Sequence, residues 1–296
     1  MTFLSWPLLA SLPLVVFLVI NLKAIPLVWH FRLFTFLLQS RSWLRPSQVQ
    51  DGTLVGKTPV LFQPLILHSR SPLLEIDYYL HKSNATFFSD VDIARSHLVA
   101  ALMWPLLRRP EAGVLLPSKG ADVKSGNQRL AIMLGAVSCS FRREIKPFEK
   151  YEVWTRVLAW DDKWVYFVSH FVRAGVVRGR GRFTLQQQRS AVGGQRQRVA
   201  KAEVEKAVLA TAVSKNVLKL GRTTVRPDDV WKAAGLWPSG GNKDALDRVE
   251  KARLRGLQAL AESKDGAALH GLFGDLVDHE DGVAALGEYH DIFAWA

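Results

Sequence analysis

The sequence has one cysteine, Cys139, among its 296 residues. A single thiol excludes an intramolecular disulfide. It also excludes a cysteine-based zinc site, because such sites need at least two cysteines. A chain without disulfides is compatible with a reducing compartment. We therefore predict neither a metal site nor a cofactor.

Charge is absent from the first apolar run, residues 3–20, which reads FLSWPLLASLPLVVFLVI. As a helix this run would be roughly 27 Å long, close to the thickness of a thin bilayer core. A cleaved signal peptide is the alternative, but it requires a basic start and small residues at the cleavage site. Here the first charge is Lys23, downstream of the run. We therefore expect a membrane anchor and interfacial segment over residues 1–40.

Acids are absent before Asp51, and the basic residues of this region all follow the apolar run: Lys23, Arg32, Arg41 and Arg45. This asymmetry predicts a single-pass protein with a cytoplasmic body, and the endoplasmic reticulum is a candidate membrane. The stretch 24–38 is predicted to lie at the membrane interface, and a hairpin that returns across the bilayer is the alternative.

The net charge of +12 suits anionic lipid headgroups. Nucleic acid is the rival partner for a basic chain. The sequence shows no recognition module for nucleic acid, so no such partner is predicted.

Residues 41–60 are polar and read as a linker, followed by short strand-like runs at 61–67 and 71–80. From Asn84 onward apolar residues recur at intervals of three and four, which predicts a long helix. Four β-branched and aromatic segments follow, up to residue 188, with a tight hairpin at 161–163. This order predicts one strand, one long helix and then four antiparallel strands.

One helix cannot cover both faces of such a sheet. We therefore predict an α+β hotdog fold over residues 61–187, in which a curved antiparallel sheet wraps around the long central helix. A second copy of the chain would cover the other face, which predicts a homodimer. Residues 188–200 read as a second linker. Residues 201–296 read as a helical C-terminal extension, with helical composition at 204–218, 226–238 and 245–263.

The candidate chemistry lies between Asp77 and Arg95. Asp77 would end the 71–80 strand, His81 would lie in a short loop, and Asn84 would begin the helix. Backbone N–H groups at a helix start can polarise a thioester oxygen or stabilise an oxyanion. Asp77 could then act as general base or nucleophile, with His81 or Asn84 orienting water or the thioester.

Ordinary structural roles are the alternative for these residues. Asp77 would be a turn residue, His81 a solvent-facing histidine, and Asn84 an N-cap. Asp92 would pair with Arg95 one helical turn later. Arg142 and Arg143, which follow a strand, could meet coenzyme A phosphates or lie in solvent.

The pattern D-x3-H-x2-N-A-x-F-F-x3-D-x-A-R, which starts at Asp77, resembles the signature D-x3-H-x-N-N-A-x-Y-L-x3-D-x-A-R of hotdog acyl-CoA thioesterase-like proteins. The similarity is greatest to the membrane-anchored thioesterase superfamily member 6 group, and it extends through 141–162 and 163–175. Departures from related patterns occur at Ser83, where the signature has asparagine, and at Tyr79, where plant acyl-carrier-protein thioesterases have asparagine.

The resemblance implies a hotdog homodimer with sites at its interface and acyl-CoA or a related thioester as ligand. It places the catalytic acid at Asp77 and the loop residues of the motif at His81 and Asn84. We assign substrate contacts to Ser83, Ala85, Asp92, Arg142 and Arg143.

Two functions of different classes follow from these assignments. The first is a membrane-tethered thioesterase that hydrolyses fatty acyl thioesters. The second is a non-catalytic hotdog scaffold that binds acyl ligands or partner proteins at the membrane. A hydratase or dehydratase would need an acid and a histidine arranged differently from Asp77 and His81.

Overall fold

The computed structural model describes residues 6–39, 58–107, 130–177, 179–181, 201–238, 242–263, 268–277, 283–291 and 293. Two helices open the chain, α1 (Trp6–Ile20) and α2 (Val28–Gln39). The long central helix is α3 (Asn84–Leu107), as the apolar spacing predicts. The later helices are α4 (Lys201–Ala207), α5 (Pro227–Ala233), α6 (Lys243–Glu262) and α7 (Ala268–Val277).

The strands are β1 (Leu65–Arg70), β2 (Leu130–Phe141), β3 (Lys150–Trp160), β4 (Trp164–Arg173), β5 (Gly179–Gly181), β6 (Val208–Leu220), β7 (Thr223–Val225), β8 (Val283–Ala285) and β9 (Gly287–His290). Among the described residues, the main sheet has seven strands in the order β2-β6-β4-β3-β1-β9, with β7 paired to β6. Its pairs are antiparallel except for β1 with β9, which is parallel. A separate parallel pair joins β5 to β8.

The sheet curves around α3, which confirms the predicted hotdog arrangement. Register shifts in three of its ladders bend the strands, as β-bulges do. Leu98 and Leu102 of α3 pack against Leu65 and Phe167 on the inner face of the sheet. The hairpin between β3 and β4 is also confirmed, since the Asp161 amide donates to the Trp164 carbonyl at 2.9 Å.

The sequence prediction is wrong for the fourth strand after α3. Of the predicted strand at 176–188, residues 178 and 182–188 lie outside the described residues, and residues 179–181 pair with β8. The strand that lies between β2 and β4 in the sheet is β6. The alanine-rich composition of 204–218 suggested a helix, but from Val208 the segment is buried between two strands, where cross-strand pairing overrides propensity. The predicted domain end at 187 therefore falls before a strand of the same sheet.

The predicted strand at 71–80 is also wrong. Pro72 has no N–H to donate to a ladder, and Leu73–Glu75 forms a 3₁₀ turn. The first strand is β1, which begins at Leu65, three residues after the end of the buried 3₁₀ turn Val60–Phe62. Asp77 therefore lies in a turn and not at the end of a strand.

The chain's own C-terminal helices pack on the outer face of the sheet, which the sequence predicts to be covered by a second copy. Trp154 packs against Phe273 of α7, and Leu158 packs against Leu269 of the same helix. Helix α6 approaches β3 so closely that a Cβ at Gly256 would lie 2.1 Å from the Leu158 carbonyl oxygen. Only glycine permits that approach.

The N-terminal helices differ in how they meet this body. One side of α2 packs against α3, with Val28 and Arg32 buried, while Phe31 and Phe34 are exposed. Apolar side chains of α1 from Leu14 to Val19 are 41–60% exposed. Within the described ranges, no helix combines the length and apolar character that crossing a membrane requires.

Candidate functional site

The turn that carries Asp77 and His81 is closed by its own backbone. Ile76 and Lys82 form an isolated bridge, and the Asp77 amide donates to the His81 carbonyl at 2.9 Å. Leu80 has φ of 64°, a left-handed conformation that lets the chain reverse. The loop 76–82 therefore presents its tip outward from the start of α3.

Asp77 and His81 face each other across this loop. The Nδ1 atom of His81 lies 3.5 Å from Oδ2 of Asp77, and the two side chains are 28% and 22% exposed. The Tyr79 amide donates to the other carboxylate oxygen, Oδ1, at 3.0 Å. An imidazole and a carboxylate in this arrangement can share or relay a proton with a molecule bound beside them.

Helix α3 begins immediately after this pair. Asn84 is its first residue, and both Asn84 and Ala85 are exposed. The carbonyl of Ser83 accepts from the Thr86 amide at 2.9 Å and from the Thr86 hydroxyl at 2.7 Å. The Asn84 and Ala85 amides have no acceptor within the helix, because the first turn of any helix lacks one. They are donors at the positive end of the helix dipole.

The other predicted residues divide into two groups. Arg142 and Arg143 are exposed and follow β2, in a segment whose Ile145 carbonyl accepts from the Lys82 amide at 2.8 Å. They therefore lie at the same end of the sheet as the loop. Asp92 lies about 12 Å along α3 from Asn84 and pairs with Arg95 at 2.5 Å, which is the predicted structural role.

The tip of the loop is apolar and aromatic. Tyr78, Tyr79 and Leu80 are the most exposed large side chains of this region. The Tyr79 ring stacks on the His81 imidazole at 5.8 Å. These side chains border the Asp77–His81 pair and offer an apolar surface beside it.

Below the loop lies a buried charge cluster that the sequence did not predict: Lys23, Arg32, Glu75, Lys82, Asp90, Tyr151 and Asp291. Asp90 is its centre. Lys23 and Lys82 each place Nζ 3.1 Å from Asp90, and Arg32 donates to it at 2.8 Å. The Tyr151 hydroxyl donates to the same carboxylate.

The remaining contacts extend the cluster to both ends of the chain. Lys82 donates to Glu75 at 2.5 Å, and Lys23 donates to Glu75 at 3.1 Å. Arg32 also pairs with Asp291, near the C-terminus, at 2.7 Å. Glu75 directly precedes the loop 76–82 and Lys82 is its last residue, so the cluster holds the base of the turn that presents Asp77 and His81.

The cluster keeps its charges by mutual compensation. Burial opposes ionisation of Asp90, but Lys23, Lys82 and Arg32 outweigh it and hold the pKa of Asp90 well below its ordinary value. Burial, opposed by Asp90 and Glu75, lowers the pKa of Lys23. Against burial, the carboxylates of Asp291 and Asp90 raise the pKa of Arg32. Removing one of these charged side chains would therefore leave its partners buried with less compensating charge.

This finding changes the interpretation of the N-terminal basic residues. From the sequence, Lys23 and Arg32 are expected to be positive residues that flank a membrane anchor on its cytoplasmic side, yet both side chains are buried in the body. One feature of the sequence points to this cluster: Lys23 and Arg32 each stand alone within an apolar stretch. A cation buried with such a stretch requires a carboxylate partner.

Comparison with known proteins identifies the family. Residues 72–213 match the model of the thioesterase-like superfamily, and that match runs into β6, past residue 187. The probable thioesterase atnL of Emericella nidulans is 39% identical over 80% of this chain and 74% of its own length. Thioesterase poxG of Penicillium oxalicum is 35% identical over 91% of this chain and 88% of its own length. The chain belongs to the thioesterase-like superfamily.

More distant similarity confirms the resemblance to the thioesterase superfamily member 6 group. Protein THEM6 of Danio rerio is 23% identical over 36% of this chain and 45% of its own length. Among solved structures, the probable thioesterase YbaW of Escherichia coli aligns over 59% of this chain and 98% of its own, at 11% identity and a TM-score of 0.36.

Proposed function

We propose that this protein hydrolyses thioesters, with Asp77 and His81 as the reacting groups at the start of α3. The observation that supports this most is the pair itself. A carboxylate and an imidazole lie 3.5 Å apart, partly exposed, next to helix amides that have no helical acceptor. Relatives named as thioesterases support the reaction class.

In this mechanism the Asp77 carboxylate takes a proton from a water molecule that His81 orients. The water oxygen attacks the thioester carbonyl carbon, and the Asn84 and Ala85 amides stabilise the oxyanion. The carbon–sulfur bond then breaks, and the proton held by Asp77 passes to the leaving thiolate. The products are a carboxylic acid and a free thiol.

We propose a fatty acyl-CoA as the substrate. Arg142 and Arg143 are exposed at the same end of the sheet and carry the positive charge that coenzyme A phosphates require. The apolar tip at Tyr78, Tyr79 and Leu80 offers a surface for the acyl chain.

The full-length protein, purified in mild detergent, should release coenzyme A from acyl-CoAs across a ladder of chain lengths. Release of the thiol, followed with a thiol-reactive dye, measures the reaction. Saturable binding of acyl-CoA without any thiol release at every chain length would contradict hydrolysis.

That outcome would favour the second candidate, a non-catalytic hotdog that binds acyl ligands or partner proteins. Two observations favour it. Ser83 stands where the signature has asparagine, and the Asp77 carboxylate already accepts the Tyr79 amide. Either feature would weaken Asp77 as a base or the loop's ability to orient water. Neither would alter the surface proposed to bind the acyl chain.

We propose that a second copy of the chain pairs along β2. This strand of twelve residues is an edge of the sheet, carries no charged residue or proline, and exposes Met133 and Leu134. Soluble proteins protect such edges with charge, bulges or covering segments, because an open edge pairs with another strand. Among the described residues, no further strand lies beyond β2 in the sheet.

Leu134→Lys should convert the proposed dimer to a monomer, since it places a charge in the shared edge. Leu134 is 45% exposed and Leu254, on the surface of α6, is 50% exposed, so Leu254→Lys is the matched control. Sedimentation velocity in detergent measures the oligomeric state of both variants and of the wild type. A wild-type monomer, or a Leu134→Lys dimer, would contradict pairing through β2.

We also propose that α1 tethers the protein to a membrane, with the body in the cytoplasm and the endoplasmic reticulum as candidate location. Consecutive side chains from Leu14 to Val19 are apolar and exposed around the whole helix, which is unfavourable in water. A helix of fifteen residues suits insertion into one leaflet.

The protein should float with liposomes in a density gradient, and replacing Leu14, Phe17 and Leu18 together by serine should abolish flotation. Each substitution removes apolar area worth about 1.5–3 kcal/mol when buried. Leu254→Ser, an exposed leucine outside α1, should float like wild type. Flotation of the triple variant would place the membrane contact elsewhere.

A further inference from the structure

Two histidines and a glutamate meet where the last strand joins the sheet. His68 on β1 and His290 on β9 are directly opposite in the parallel register, and their rings stack at 4.4 Å. Glu288 lies two residues before His290 on the same strand, so its side chain points to the same face. One ligand atom from each of the three residues lies within 4.8 Å of the others.

The spacing fits a small cation that prefers nitrogen and oxygen ligands. The His68 Nε2 atom is buried and makes no hydrogen bond with the described residues, and it lies 3.4 Å from the Glu288 carboxylate. Ligands of a tetrahedral zinc ion at 2.0–2.1 Å are separated by about 3.3 Å. Side-chain rotation of His290, which is exposed, can bring its imidazole to the same distance.

A further carboxylate lies beside the other ring nitrogen of His68. Glu152 of β3 places Oε1 3.6 Å from His68 Nδ1. Glu152 is itself held by the Trp154 indole N–H at 2.9 Å and by the Gly175 amide at 3.0 Å. When one imidazole nitrogen binds a metal, the other usually donates to a carboxylate that fixes the ring, and Glu152 is placed to accept that bond.

We propose that His68, Glu288 and His290 bind a divalent transition-metal ion of the zinc class, oriented by Glu152. The ion would join β9 to β1 and so fasten the C-terminal strand to the edge of the sheet. The site lies on a different face of β1 from the inner core and requires no part of the proposed hydrolysis.

The test is a titration of zinc chloride into the full-length protein, freed of any affinity tag and first stripped with a chelator. Calorimetry should show saturable binding of one Zn²⁺ per chain. His68→Gln and His290→Gln should each weaken binding at least tenfold, and Glu152→Gln by about 10–100-fold as a supporting group. His30→Gln is the control, because His30 is an exposed histidine on α2.

Hydrogen exchange supplies a second measurement. Zn²⁺ should slow exchange of the amides of β9 in the wild type and leave them unchanged in His290→Gln. His290 is exposed, so this variant should retain the wild-type circular dichroism spectrum without metal. Absence of saturable binding, or equal Zn²⁺ binding by wild type and His290→Gln, would overturn the proposal and mark the ion as adventitious.

Discussion

Arg32→Met should lower the free energy of unfolding by about 3–5 kcal/mol, the usual effect of removing one member of a buried ion pair. The substitution leaves the Asp291 carboxylate buried with two neutral donors, the Ser69 hydroxyl at 3.4 Å and the Phe293 amide at 3.2 Å. It also removes one of three cations around Asp90. The melting temperature should fall by roughly 10 °C. Urea denaturation of the full-length protein in detergent measures the change.

Arg226→Met is the matched control. Arg226 pairs with Asp162 at 2.8 Å, the same distance as Arg32 and Asp90, but its side chain and that of Asp162 are 60% and 89% exposed. An exposed pair of this kind contributes about 0–1 kcal/mol. In the Arg32→Met background, Asp291→Asn should restore part of the lost stability, because it removes the uncompensated charge. Equal effects of Arg32→Met and Arg226→Met would show that the cluster is not buried as described.

Asp77→Asn should reduce turnover of acyl-CoA by at least about 10²-fold, the contribution of a positioned general base. The amide is nearly isosteric and can still accept from the Tyr79 amide, so the loop should keep its shape. Acyl-CoA affinity and the melting temperature should therefore change little. Steady-state release of coenzyme A, with binding measured separately, distinguishes lost chemistry from lost binding.

His81→Asn should have a smaller effect than Asp77→Asn, since its proposed role is to orient water. Asp162→Asn, in the exposed hairpin between β3 and β4, is the control for loss of a carboxylate. If Asp77→Asn hydrolyses as fast as wild type, Asp77 is neither base nor nucleophile. Loss of turnover in Asp162→Asn as well would indicate a general effect of charge.

The buried charge cluster, to which Arg32 belongs, is connected to the loop that carries Asp77 and His81. Glu75 directly precedes the loop 76–82 and Lys82 ends it, and Lys23 of the N-terminal segment donates to Glu75. The N-terminal segment therefore helps to position Asp77 and His81. A protein truncated before α3 would lack Lys23 and Arg32 and leave Asp90 with fewer buried cations. The segment 21–35 therefore packs as part of the folded body.

The sequence predicted the central helix, three strands and the hairpin at 161–163, because each has a local periodicity or turn that burial does not alter. The helix prediction for residues 208–220 is wrong because the segment mixes alanine, which favours helices, with valine, which favours strands, so its local composition does not decide between them. Their place between β2 and β4 depends on pairing with residues about forty and eighty positions earlier. The sequence does not predict β9 for the same reason, because this strand of four residues is defined by its pairing with the distant strand β1.

The sequence by itself determined the family and the residues of the Asp77–His81 loop, since the spacing from Asp77 to Arg95 is a local pattern. It also determined that the first helix is apolar and uncharged. Only the tertiary structure decided which charges are buried and what covers the sheet. Lys23, Asp90 and Asp291 lie far apart in the chain, and whether a charge faces solvent or a buried partner depends on how distant segments pack.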